Sequence, residues 1–173
     1  MHALVMHVTM GSRRNDPAAE RDRDGNRSTA RHYGRIVMTE RDCDLITRFY
    51  EEAFNGGNVH VIRELVAPDH VSHLPTGDHY GPEGVRIDVS YFRMAFPDLH
   101  FQIEEFIEAK ERIVYRFTAR GTHDGPFMGV PASGRKVEIQ GIGIDRVSDG
   151  QTVERWLQYD SAGLLQQLGA LPA

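Results

Sequence analysis

Three histidines fall close together, His70, His73 and His79, with Asp69 and Asp78 beside them. An imidazole has an unperturbed pKa of about 6.5, so each can take or give a proton at neutral pH. Imidazoles and carboxylates also suit several divalent metals. No pair here stands at a known ligand spacing on a helix, however, and turn-rich segments are commonly polar, so no metal is expected. A second group lies near the C-terminus. Ser148-Asp149-Gly150 reads as the turn of a hairpin, which sets Asp145 opposite Arg155 within ion-pair reach. An arginine beside a carboxylate favours the charged form and weakens it as a base, so a structural salt bridge stands beside a catalytic pair as a reading. Tyr159 is placed to donate a hydrogen bond to a carbonyl or enolate, or to be a wall residue with its hydroxyl satisfied. The sequence contains no Gly-rich phosphate loop and no nucleophile elbow.

The elements that must position these groups follow from periodicity. Leu45, Ile46, Phe49, Ala53 and Phe54 form a helical stripe behind a cap at Thr39, and Asn55-Gly56-Gly57-Asn58 ends that helix. Val59 to Val66 reads as a shorter helix, Asp69 to Gly84 as a polar, turn-rich segment, and Glu83 to Ala95 as a third helix stopping before Pro97. The period then changes to two. Leu99, Phe101 and Ile103 alternate with polar residues, as do Ile113, Tyr115 and Phe117. Strands over Lys136 to Val147 and Thr152 to Tyr159 and a helix over Ala162 to Leu168 complete the chain. The expectation is an α+β fold, with helices on one face of a curved antiparallel sheet.

Composition narrows the function. The chain has 173 residues, a formal net charge of −5 and a single cysteine, Cys43. An acidic chain has no electrostatic reason to seek nucleic acid or anionic membrane, so neither is expected as a partner, and one cysteine excludes an internal disulfide. No apolar run approaches the roughly 18 residues of a membrane span, and no export signal is read, so a cytoplasmic protein is expected. Residues Gly11 to Arg35 are rich in Arg, Asp, Asn and Gly and nearly free of large apolar side chains, which predicts a solvated, disordered tail rather than a basic arm for a partner. Met38 opens a run, MTERDCDLITRFYEEAFN, that reads as a natural start. The tail is therefore expected over 1–37 and the domain over 38–173.

The second half carries a specific pattern. Gly121-Thr122-His123-Asp124-Gly125-Pro126-Phe127-Met128-Gly129-Val130-Pro131-Ala132-Ser133-Gly134-Arg135 resembles the G-T-H-x-G-x-F-x-G-x-P-x-S/T-G-R pattern of SnoaL-like polyketide cyclases. The hairpin Asp145 to Gly150, Glu154-Arg155-Trp156, Asp160 and the closing Gln166-Gln167-Leu168-Gly169 are similar to the same family, as are Phe54-Asn55-Gly56-Gly57, Ala67-Pro68-Asp69 and Phe96-Pro97-Asp98. The resemblance spans about residues 40 to 170. It implies the cone-shaped nuclear-transport-factor-like fold, with three N-terminal helices packed on a curved sheet around one pocket. It also implies an intramolecular aldol closure on a polyketide ester, without a cofactor. In that family an Asp on the last strand is the base and a His on the preceding strand assists. Here those positions fall on Leu157 and Gly143, which cannot move a proton, and a pocket Asn falls on Ser72.

With 143 and 157 on the cavity wall, alternation adds Ile139, Gly141 and Asp145 from one strand and Val153, Arg155 and Tyr159 from the other. Phe49, Ser72, Tyr115 and Phe117 complete the expected substrate wall. Gly141 and Gly143 either enlarge the cavity or mark a bend. His73, near the cavity mouth in this fold, is the first candidate acid or base, followed by Tyr159, Asp145 and Arg155. Asp160 is read as a helix cap and His123 as part of the turn pattern. The opposite sheet face carries Ile142, Ile144 and Trp156, which predicts a homodimer. Three functions remain open: a cyclase or isomerase acting on a hydrophobic, oxygenated small molecule, a non-catalytic binder of such a molecule, and an epoxide-opening or dehydrating enzyme with a relocated acid or base.

Overall fold

A computed structural model describes residues 40–109 and 112–172. The expected tail over 1–37 and the cap at Thr39 lie outside the described residues. Helix α1, Glu40–Arg48, continues in wider π turns over Phe49–Asn55, which bring Phe49, Tyr50, Ala53 and Phe54 together in the core. Gly57, at φ +69°, turns the chain out of this helix. A short 3-10 turn, Val59–Val61, leads into α2, Ile62–Leu65.

The segment expected to be a turn-rich loop is a β-hairpin, β1 (Val66–Leu74) and β2 (Gly77–Tyr80). Helix α3, Gly81–Ala95, follows with Pro82 in its first turn, where a missing N–H costs nothing. Strands β3 (His100–Ala109), β4 (Arg112–Thr122), β5 (Lys136–Ser148) and β6 (Gln151–Tyr159) complete one six-stranded sheet in the order β2-β1-β6-β5-β4-β3. The pairing corrects the all-antiparallel expectation, because β1 runs parallel to β6. Helix α4, Ser161–Leu168, is capped by the Asp160 carboxylate, which accepts from the Gly163 N–H at 2.8 Å. Gln167 then ties α4 to β5 through two hydrogen bonds with the Glu138 backbone.

The Thr122–Arg135 segment locks the end of α3 to the sheet. Asp98 accepts from the Thr122 N–H and hydroxyl, which hold its carboxyl below the usual range. A Cβ at Gly125 would come within 2.2 Å of the Met94 carbonyl oxygen, so only glycine permits that approach. Buried His123 bonds the Ser133 hydroxyl at 3.0 Å, and Phe127 reaches back under α3. No helix among the described residues is long and apolar enough to cross a membrane.

Candidate active site

A cavity of about 310 Å3 lies between α3, the π turns after α1 and the β1–β6 side of the sheet. Its walls are mainly aromatic, from Phe49, Phe54, Tyr91, Phe92, Phe127 and Tyr159. Apolar walls with a few polar groups are the usual form of a small-molecule site.

Two of those polar groups are partners. His79, on β2, and Asp88, on α3, both line the cavity, and the imidazole Nδ1 lies 2.5 Å from the carboxylate. Burial pushes the Asp88 carboxyl up, against the opposing effect of His79. A carboxylate on Nδ1–H leaves Nε2 as the basic lone pair and stabilises the imidazolium once a proton arrives. Asp88 falls three residues after Val85 and four before Phe92, on the helix face that supplies apolar wall residues. A carboxylate on an apolar stripe is the signal in the sequence that could have marked this site.

The cavity floor is ordered by a buried network. Arg155 donates from Nε to both Asp145 carboxylate oxygens, at 2.8 and 3.1 Å, and from Nη2 to Oδ2 at 2.6 Å. Tyr115 and Thr152 hydroxyls also donate to Asp145, so the Tyr50 hydroxyl, 2.9 Å from that of Tyr115, donates to it. Burial pushes the Tyr50 phenol up to about 12. Burial alone would weaken the Arg155 cation, but Asp145 together with Tyr115 and Tyr50 more than offsets it and holds the pKa well above the ordinary value. The guanidinium carbon sits 4.1 Å above the Phe49 ring. Breaking such a pair typically costs about 3–5 kcal/mol, so Asp145 serves as an anchor for Arg155. His70 and Ser72, both buried on β1, bond each other at 2.8 Å.

The structure sorts the residues singled out from sequence. Arg155, Tyr159, Phe49, Ser72 and Leu157 line the cavity. Asp145 lies behind Arg155 rather than in the wall. His73 is a correction: strand alternation points it to the outer sheet face, where it bonds Asp78 and Glu154 and stacks on Trp156. Tyr115, Phe117 and Ile139 do face inward, but Tyr50, Phe54 and Phe101 fill the space above that half of the sheet, and these residues are core. Gly141 and Gly143 do not enlarge this cavity, and neither marks a bulge. The Phe117 and Tyr115 rings occupy the space their side chains would take, and pairing runs regularly through both. Val153 is the extra residue of a bulge, so Thr152 turns inward instead. His70, His73 and His79 diverge to floor, outer face and wall. Among the described residues no group of three His, Cys, Asp or Glu side chains is arranged for a metal ion.

Comparison with known proteins agrees with this architecture. The aklanonic acid methyl ester cyclase DnrD of Streptomyces peucetius is 29% identical over 133 residues, covering 73% of this chain and 89% of that protein. The nogalonic acid methyl ester cyclase of Streptomyces nogalater is 28% identical over 122 residues, covering 68% and 90%. Among solved structures, IdmH from Streptomyces antibioticus superposes with a TM-score of 0.66 at 36% identity, over 76% of this chain and 99% of IdmH. The sequence profile of one family, described as SnoaL-like polyketide cyclase, matches residues 44–168. The chain belongs to the SnoaL-like polyketide cyclase family.

Proposed function

We propose that this chain is a cofactor-free acid–base enzyme of cyclase or isomerase type, acting on a hydrophobic, oxygenated small molecule. The observation that carries the reading is the His79–Asp88 pair on an otherwise aromatic wall. In this reading the proton-handling group has moved from the final strands to β2 and α3. His79 Nε2 takes a proton from the carbon beside a substrate carbonyl, and Asp88 stabilises the imidazolium. The enolate oxygen is met by N–H groups of Arg155 and by the Tyr159 hydroxyl, which burial keeps protonated by raising its pKa. The carbanion adds to a second carbonyl of the same molecule, closing a ring, and the imidazolium proton passes to the new alkoxide. The named substrates of the two relatives, aklanonic and nogalonic acid methyl esters, are the first compounds to try.

The test is cyclisation of these esters together with deuterium uptake at the acidic carbon in heavy water. His79→Ala should slow both by about 10²–10⁴-fold, the usual contribution of a general base. Full activity in that variant would place the base elsewhere. Binding with neither reaction would instead favour a non-catalytic binder, the reading that Leu157 and Gly143 support. We further propose that the outer sheet face, with Ile142, Ile144 and Trp156, joins two copies of the chain.

A further inference from the structure

The cavity floor contains a hydrogen-bond chain that proton transfer by His79 leaves unused. The Thr152 carbonyl can only accept, so the His70 nitrogen 3.1 Å away, Nδ1, carries the proton. His70 is 1% exposed, and burial together with the nearby Arg155 cation opposes a second proton. Its Nε2 is therefore a bare lone pair, and Ser72, 2.8 Å away, directs its one O–H there. An exposed serine can swing its proton to suit a ligand. Ser72 cannot do so without leaving a buried nitrogen unpaired, so it offers the cavity lone pairs only. Arg155, its partner on the adjacent strand, is a donor without acceptor capacity and lines the same cavity. An acceptor-only group thus stands beside a donor-only group.

We propose that Ser72 and Arg155 form a specificity subsite for a substrate that carries a hydroxyl near a carbonyl. The hydroxyl donates to Ser72 Oγ, and the carbonyl oxygen accepts from Arg155. The inference rests on the reading above that a small molecule occupies this cavity. It makes Ser72 a selector against alkylated oxygen: a methyl ether has no proton to give and would set lone pairs against lone pairs.

Fluorescence titration of the full chain with naphthalene, 2-naphthol and 2-methoxynaphthalene tests this without turnover. The naphthol should bind about tenfold more tightly than its methyl ether, as one hydrogen bond allows. Ser72→Ala should erase that ratio while binding naphthalene as before, which also reports that the variant is folded. Ser72→Cys keeps an S–H toward His70 but presents a weaker acceptor, and should reduce the ratio. Equal affinity in the wild type, or a ratio unchanged in both variants, overturns the subsite. If none of the three binds, the cavity is not a small-molecule site and the inference falls with it. An intact ratio in a protein that neither cyclises nor exchanges protons would overturn the catalytic reading alone.

Discussion

His70 makes one residue's burial visible in the behaviour of the chain. Burial, with Arg155 second, lowers its pKa to about 4, against about 6.5 in the unfolded chain. Between those values the unfolded chain holds a proton that the folded chain refuses. Stability therefore falls as pH drops from about 6.5 to about 4, by up to about 1.4 kcal/mol per unit, and His70 adds no further loss below that. Half-buried His73 has the opposite sign. Its hydrogen bond to Asp78 raises its pKa, so its small contribution is present at low pH and fades as pH rises through the folded value. Urea unfolding at pH 7 and pH 5 should show the wild type losing about 2 kcal/mol more than His70→Gln between the two. Equal losses would mean that His70 is not held neutral.

Among the elements, β5 shows how a flat sequence signal hides a packing requirement. A Cβ at Gly143 would lie 2.1 Å from Tyr115 Cζ, and the ring cannot retreat because its hydroxyl bonds Tyr50 and Asp145. Gly143→Ala should cost about 1–3 kcal/mol or more in urea unfolding, and pairing it with Tyr115→Leu should recover part of the loss. A single variant as stable as wild type would contradict the tight fit. Strict periodicity made α1 and strands β4 to β6 legible, because each needs only its own residues to declare a buried face. The β1–β2 hairpin was not legible. Pro68, Pro75, Gly77 and Gly81 punctuate it, and β1 is fixed by β6, some 80 residues away. Without β1 as a strand, nothing separated inward His70 and Ser72 from outward His73, or put His79 on a wall. The fold and half of the cavity were thus readable from local pattern. The His79–Asp88 pair was not, because β2 becomes a strand only by pairing with β1, which β6 in turn holds in place.

At the scale of the whole molecule the two faces of the sheet differ in character. The inner face holds the cavity floor. On the outer face, Ile107, Val114, Ile144, Trp156 and His73 form one row across five strands through consecutive pairings, with Ile142 49% exposed beside it. Arg112, Arg116 and Arg146 flank the row together with Glu105 and Glu154, so the same surface carries both signs. A two-fold axis sets such a patch against itself, apolar on apolar and acid on base. Sedimentation should find a dimer in the wild type and a monomer in Ile142→Lys/Ile144→Lys, since a buried unpaired charge at the centre of a contact is strongly unfavourable. A monomeric wild type, or a variant that still dimerises, would remove this face as the contact. Because His79, Asp88, Arg155 and Ser72 all come from one chain, the monomeric variant should keep the 2-naphthol preference unchanged. Loss of dimer and ligand preference together would mean instead that the second copy shapes the cavity through the sheet it covers.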